Sequence, residues 1–418
     1  MLRILPSLLF VGLALAVPSS LSHRHPPSST PSSQCTATLD GKIPAETPSG
    51  FRYSGTVRKY YIAAEEIDWD YAPSGWDNWL GLPLRHSPRA QSADYTKHGT
   101  KWRKAFYIGY TDGTFKTKTP QPEWQGAQGP TIRAEVGDMV EILFQNRLSQ
   151  NYASMHSMGL AYSKDSEGAA YPDRTSSNPQ STAAPGEAVP PGGCAIYKWL
   201  VPDSAAPASN QPANMHGYHS YVSMPEDMSA GLVGPQFTYQ RGMMNHTMAK
   251  YREFPVLFQG LDESLSFMAS VNARRLKNST VKSPSIDFSE LMQYGNVSSW
   301  LPQLKNMMTS KGFDDAPKFY AVNGYVFANT PTFKMCRDDK VIWYVYSQGE
   351  EPHVFHLHGN GFTDQGTNRA AKTVDPGNMF ALYMEAANVG LWQLICHVND
   401  HLSSGMVANY EVMTEGCR

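Results

Sequence analysis

Short runs of alternating apolar and polar positions recur along this chain, each introduced by an acidic turn. After Glu135, Gly137 and Asp138 the residues Val140, Ile142 and Phe144 fall on one face of a strand. The same turn and apolar strand return at Cys336, Asp338 and Asp339, followed by Val341, Ile342 and Trp343. Aromatic-rich runs of strand length open each half, at residues 59–63 and 254–258. Helical periodicity is weak, and its best short candidate is residues 288–294.

The recurrence extends to chemistry. His156-Ser157-Met158-Gly159 stands 200 positions before His356-Leu357-His358-Gly359. Further on, residues 227–233 (Asp-Met-Ser-Ala-Gly-Leu-Val) parallel residues 401–407 (His-Leu-Ser-Ser-Gly-Met-Val), and His219-Ser220-Tyr221 precedes the first as Ile395-Cys396-His397 precedes the second. A duplication explains this most simply. It predicts an all-β chain of two sandwich domains, at about 51–240 and 250–418.

Composition narrows the setting. Of 418 residues, 17% are charged and the formal net charge is -2, so no basic or acidic block points to nucleic acid. Thirty Pro and 33 Gly fit a turn-rich β protein. Residues 1–16 read as a secretory signal: Arg3 is the positive start, 8–15 the apolar core, and Ala14-Leu15-Ala16 the cleavage site. A Ser/Pro-rich leader follows, with 17–33 the biased stretch and 17–50 the full segment ahead of the first domain. No segment reaches the length of a membrane-spanning helix. The sequons at Asn245, Asn278 and Asn296 agree with a secreted, extracellular glycoprotein. Five cysteines leave at least one thiol without an intramolecular partner, and a metal-bound thiolate is a good use for it.

The second half holds the densest chemistry. His353, His356 and His358 form one segment, and Cys396, His397, His401 and Met406 another, so five of the thirteen histidines sit in two short stretches. Two imidazoles, a thiolate and a weak axial thioether are what a type 1 (blue) copper requires, because this soft set stabilises Cu(I). His353, Cys396, His401 and Met406 supply it. Carried onto the first half, these positions become Ala153, Ser220, Asp227 and Leu232, so no blue copper is expected there.

These motifs resemble the ceruloplasmin and hephaestin branch of the multicopper oxidases and the related A domains of coagulation factors. The likeness runs from about residue 51 to 418 and includes residues 129–138, 166–173 and 229–235 and Val322-Asn323-Gly324. It implies two cupredoxin-like Greek-key domains and a disulfide between Cys336 and Cys417. Cys35 and Cys194 are then left as a pair, and Cys396 as the free thiolate.

In the oxidases that this chain resembles, four His-x-His pairs hold a trinuclear copper cluster between a first-type and a last-type domain. Here the pairs read His156/Met158, His219/Tyr221, His356/His358 and Ile395/His397. The resemblance gives the type 2 copper to His156 and His356. One type 3 position keeps His219 and His397 beside Met158, and the other keeps only His358, beside Tyr221 and Ile395. In the family, electrons pass from the thiolate through both flanking residues to the type 3 pair, which reduces dioxygen to water. With Ile395 in one arm, four-electron reduction is expected to be impaired and Ile395→His to raise it. Two-domain relatives build the cluster between subunits, which makes a homotrimer the expected assembly.

Ferroxidases of this branch place carboxylates beside the blue site to hold Fe(II). Asp400 matches one of these acids, Asp315 and Tyr320 stand at the other matched positions, and Glu350 and Glu351 lie near His353. Two readings stand: an iron site in which Asp400 and Glu351 are the catalytic acids, or a solvated acidic rim. The methionines at 155, 158, 215, 224, 228, 243, 244 and 248 are read as core packing, with a Cu(I) entry site as the alternative. The leading functional expectation is a secreted copper oxidoreductase drawing single electrons from Fe(II) or another small reductant. A blue-copper electron carrier, a non-catalytic copper-binding extracellular protein and, more distantly, a nitrite-reductase-like enzyme are the alternatives.

Overall fold

The structure, a computed structural model, describes residues 35–169, 186–276, 301–310 and 313–416. The expected signal, the stretch 17–33, the helix candidate at 288–294, Cys417 and the sequons at Asn278 and Asn296 lie outside the described residues.

The strands of the first half are β1 (Val57–Asp70), the small hairpin β2 (Trp76–Asp77) and β3 (Leu82–Pro83), β4 (Lys101–Tyr110), β5 (Ile132–Glu135), β6 (Met139–Asn146), β7 (His156–Met158), β8 (Cys194–Leu200), β9 (Ala213–His219) and β10 (Val233–Tyr239). They form two four-stranded sheets, ordered β4-β1-β6-β8 and β5-β10-β9-β7. The second half adds β11 (Tyr251–Asp262), β12 (Lys318–Val322), β13 (Phe333–Cys336), β14 (Lys340–Gln348), β15 (His353–Leu357), β16 (Phe362–Asp364), β17 (Thr367–Arg369), β18 (Ala371–Val374), β19 (Met379–Glu385), β20 (Gly390–Cys396) and β21 (Val407–Met413). Its sheets are ordered β12-β11-β14-β19-β16-β17 and β13-β21-β20-β15-β18.

The pairing repeats strand for strand. β1 lies parallel to β6 and antiparallel to β4, as β11 lies parallel to β14 and antiparallel to β12. β5 is parallel to β10 as β13 is to β21. Two antiparallel steps follow in each half, β10-β9-β7 and β21-β20-β15. This is the cupredoxin-like β-sandwich arrangement, formed twice.

Alternation explains how each sandwich closes. Val140, Ile142 and Phe144 enter one core with Ile62, Tyr107 and Ile132. Leu143, on the opposite face of β6, packs with Cys35, Ala37 and Leu39, so the chain is anchored from Cys35 onward. The Cys35–Cys194 disulfide, with Cα atoms 5.6 Å apart, ties that segment to β8. In the second core Phe254, Val256 and Phe258 meet Trp343, Phe355, Cys396 and Met406. Cys336 is also disulfide-bonded.

Short helices between strands, which the weak periodicity did not predict, carry several key side chains. They include Met224–Ala230, Leu301–Ser310 and Asn399–Ser403. Packing against the sheets offsets their short length.

Polar contacts join the two halves. Glu253 receives Arg133 Nη1 at 2.6 Å and the hydroxyls of Tyr239 and Tyr344 at 2.8 and 2.6 Å. Phe237 stacks on Tyr344 at 3.6 Å between ring centres. Lys104 Nζ lies 2.5 Å from Glu263 Oε1, both side chains being fully buried, and Tyr71 donates its hydroxyl to the same carboxylate.

Candidate metal centre

His353 opens β15 and Cys396 ends β20, and neighbouring strands of one sheet bring them together: Phe355 is the register partner of Cys396. The chain then turns through the helix Asn399–Ser403, which carries His401, and reaches Met406 just before β21. Cys396 N donates to Met406 O at 3.1 Å and Met406 N to His401 O at 3.0 Å, which closes the loop on itself. Gly405 permits the last bend. Its φ is +98°, and a Cβ there would come within 2.9 Å of the Phe327 ring.

Three ligand atoms converge. Cys396 Sγ lies 3.7 Å from His353 Nδ1 and 3.7 Å from His401 Nδ1, and the two Nδ1 atoms are 3.1 Å apart. Bonds of about 2.0–2.3 Å to a single ion produce separations of this size. Burial lowers His353 to a pKa of about 3, with the neighbouring His401 adding to the effect. Burial also lowers His401. Both imidazoles are therefore neutral, the form that binds a metal. Burial raises the Cys396 thiol, so a bound cation is what would favour its thiolate. Val354 N–H, 3.5 Å from Sγ, points a backbone dipole at that sulfur. Met406 is fully buried in the same apolar cluster as Cys396. Among the described residues this is the one cluster of three or more His, Cys, Asp or Glu ligands close enough to hold a metal ion. The residues fit a blue copper: two neutral imidazoles, a buried thiol and a thioether in an apolar shell.

The outer edge of the centre is less apolar. Tyr320 stacks on His401 at 4.4 Å between ring centres. Glu351 Oε2 stands 3.2 Å from His401 Nε2, while Glu351 Oε1 receives Lys318 Nζ at 2.9 Å and the Tyr320 hydroxyl at 3.3 Å. Asp400 is exposed in the first turn of the ligand helix. Asp315, matched by resemblance to an iron-binding acid, is instead paired with Lys97 Nζ at 2.8 Å and lies 3.5 Å from His98 Nε2. Sequence reasoning singled out Glu351 for its position near His353; its contact with His401 and the role of Lys318 emerge only in three dimensions.

The remaining predicted histidines form two groups. On the first half the His156 and His219 rings are 5.4 Å apart, and Tyr221 lies 5.2 and 5.8 Å from them. On the second half His356 lies 5.3 Å from His358 and 5.5 Å from His397. Among the described residues no ring contact joins the groups. The two sheets align them by register: His156 opposes His219, and His356 opposes Ile395. Ile395 packs with Ala328 and Val407, and Trp79 and Leu402 close over that cluster. Met158 is used differently again, since its sulfur receives Gln348 Nε2 at 3.7 Å.

The counterpart of the blue site on the first half is a hydrogen-bond network. Ser220 Oγ donates to Asp227 Oδ2 at 2.7 Å, Val222 N and Ser223 N donate to the same oxygen, and Asn306 Nδ2 donates to Oδ1 at 2.9 Å. Ala153 and Leu232 are buried. A methionine entry site finds little support in the burial of Met155, Met215 and Met228, whereas Met243 and Met248 are exposed.

The chain is similar to known proteins. Residues 298–416 match the family model described as multicopper oxidase. Hephaestin of Mus musculus is 31% identical over 370 residues, covering 86% of this chain and 30% of that protein. Ceruloplasmin of Homo sapiens is 30% identical over 361 residues, covering 85% and 31%. The chain thus spans about a third of the length of these curated relatives. Among solved structures, Multicopper Oxidase mgLAC superposes with a TM-score of 0.52 at 16% identity, over 85% of this chain and 86% of that one. The Blue Copper Oxidase from Nitrosomonas europaea gives 0.50 at 15% identity, over 85% and 86%. These two show a shared fold.

Proposed function

This chain belongs to the multicopper oxidase family, and on that premise we propose that it is a secreted copper oxidoreductase taking single electrons at a type 1 site made by His353, Cys396, His401 and Met406. The convergence of His353 Nδ1, Cys396 Sγ and His401 Nδ1 carries this reading. Copper held by His353, Cys396, His401 and Met406 would supply a one-electron couple there.

The chain's own residues arrange the rest. Burial keeps both imidazoles neutral, and the Val354 N–H favours negative charge on the sulfur. The reductant meets the protein at the edge where His401 Nε2 faces Glu351, with Asp400 exposed nearby, and the groups around that edge decide which class of small donor is accepted. Cys396 is bonded directly to the segment bearing exposed His397, whose ring lies beside His356, so the buried sulfur and that histidine face are covalently connected. In this reading His156 and His356 would hold a type 2 copper and His219, His358 and His397 a partial type 3 site, a homotrimer would bring the two faces together, and dioxygen would be the acceptor. The Cys35–Cys194 disulfide supports an oxidising, extracellular location. No described helix is long and apolar enough to cross a membrane.

One observation favours a second reading, an electron carrier: Ile395 sits in an apolar cluster with Ala328 and Val407, against which Trp79 and Leu402 pack, where the resemblance expects a ligand. Copper per chain, measured together with visible spectra and oxygen uptake, separates the two. About one blue copper and no uptake selects the carrier; about two to three coppers with uptake selects a retained interfacial centre. A colourless, copper-replete protein overturns both.

A further inference from the structure

Beside His401 the place where a metal-ion reductant would bind carboxylate is filled by the chain itself. Glu351 spans it: Oε2 lies 3.2 Å from His401 Nε2, and Oε1 faces outward to Lys318 Nζ at 2.9 Å and the Tyr320 hydroxyl at 3.3 Å. Glu350 Oε2 lies 3.4 Å from the same ammonium group. Lys318 is held from behind as well as in front. It pairs with Asp262 in the β11–β12 register, its carbonyl accepts the Tyr95 hydroxyl at 3.2 Å, and its side chain is only 21% exposed. The other acid expected from the ferroxidase resemblance, Asp315, is counter-charged in the same way by Lys97.

We propose that Lys318 determines which reductants reach this edge: its ammonium group occupies the cation position on Glu350 and Glu351 and keeps a divalent metal ion from binding the carboxylate that touches His401. The inference rests on the type 1 reading of the site and deepens it by naming a selectivity against metal cations. A divalent ion arriving here has to displace an ammonium group already held by two carboxylates, and until it does so the two like charges repel. Substrates without a need for carboxylate ligation face no such barrier. The adjoining cleft, about 440 Å³ and lined by Lys97, Asp314, Lys318, Tyr320 and Ser404, has room for a small organic molecule.

The test is a titration of the copper-loaded full chain with Mn(II), a hard ion that prefers carboxylate to imidazole, read by calorimetry and by the loss of the free-ion spin-resonance signal. The wild type and Lys318→Arg show no saturable site of this kind. Lys318→Met gains one site per chain, with affinity raised at least about tenfold over the wild type, and the gain disappears when Glu351→Gln is added. Equal Mn(II) binding by wild type and Lys318→Met overturns the proposal, as does a gain that survives Glu351→Gln. The blue absorption of the same samples reports separately on the copper reading: its absence from every variant overturns that reading, while the Mn(II) comparison still decides the role of Lys318.

Discussion

His353 Nδ1 and His401 Nδ1 stand 3.1 Å apart although 48 residues separate them, and both face Cys396 Sγ. Two neutral imidazole nitrogens at this distance share either a proton or a cation, and the sulfur 3.7 Å from each makes a cation the fit for all three. Cys396→Ser is therefore expected to abolish the intense blue absorption and lower copper retention, as measured by metal analysis and visible spectra. Met406→Leu is expected to keep the colour and shift the reduction potential, because the axial ligand tunes the couple without forming the thiolate bond. An unchanged potential would remove Met406 from the ligand set.

Ile395 stands where the register of the first half places His219, within a cluster completed by Ala328, Val407, Trp79 and Leu402. Ile395→His puts an imidazole against apolar neighbours, at a cost of about 1–3 kcal/mol. Thermal unfolding of the variant should show the loss. A variant as stable as wild type, with oxygen uptake increased, would instead mean that the position remains open to a metal.

Asp227 gives the fold a pH dependence. Burial raises its pKa from 3.8 to about 7, despite hydrogen bonds from Ser220, Ser223 and Asn306 that oppose the shift. Between those two values the folded chain keeps a proton that the unfolded chain has released. Stability therefore falls as pH rises through this window, by at most about 4 kcal/mol from this residue. Urea unfolding at pH 5 and at pH 8 should show the difference, and Asp227→Asn should flatten it. An identical slope in the variant would assign the effect elsewhere.

Lys104 and Glu263 are both fully buried, and the second Glu263 oxygen has no hydrogen-bond partner. Removing one member leaves the other charge uncompensated. Lys104→Met should cost about 3–5 kcal/mol, and the double variant with Glu263→Leu should recover much of it. A double-mutant cycle in chemical denaturation checks this, and additive losses would refute the coupling.

The legible part of the molecule was local. Val140, Ile142 and Phe144 announced their strand because alternation is a property of neighbouring residues. The candidate ligands Cys396, His401 and Met406 were legible for the same reason, since they fall within eleven consecutive residues whose own backbone bonds close the loop. The Met224–Ala230 and Asn399–Ser403 helices were not legible, because one or two turns carry too few positions to show a period and are stabilised by the sheets they pack on.

The sequence by itself determined the candidate donor residues, the internal duplication and the absence of those residues from the matching positions of the first half. Only the tertiary structure decided what surrounds those atoms. It brought Trp79 to the apolar cluster around Ile395, seated Asn306 on Asp227 across 79 residues, and set Lys318 against Glu351 at the edge of His401. Such contacts depend on sheet register and on how elements far apart in the chain pack together, and no residue pattern within one segment encodes them.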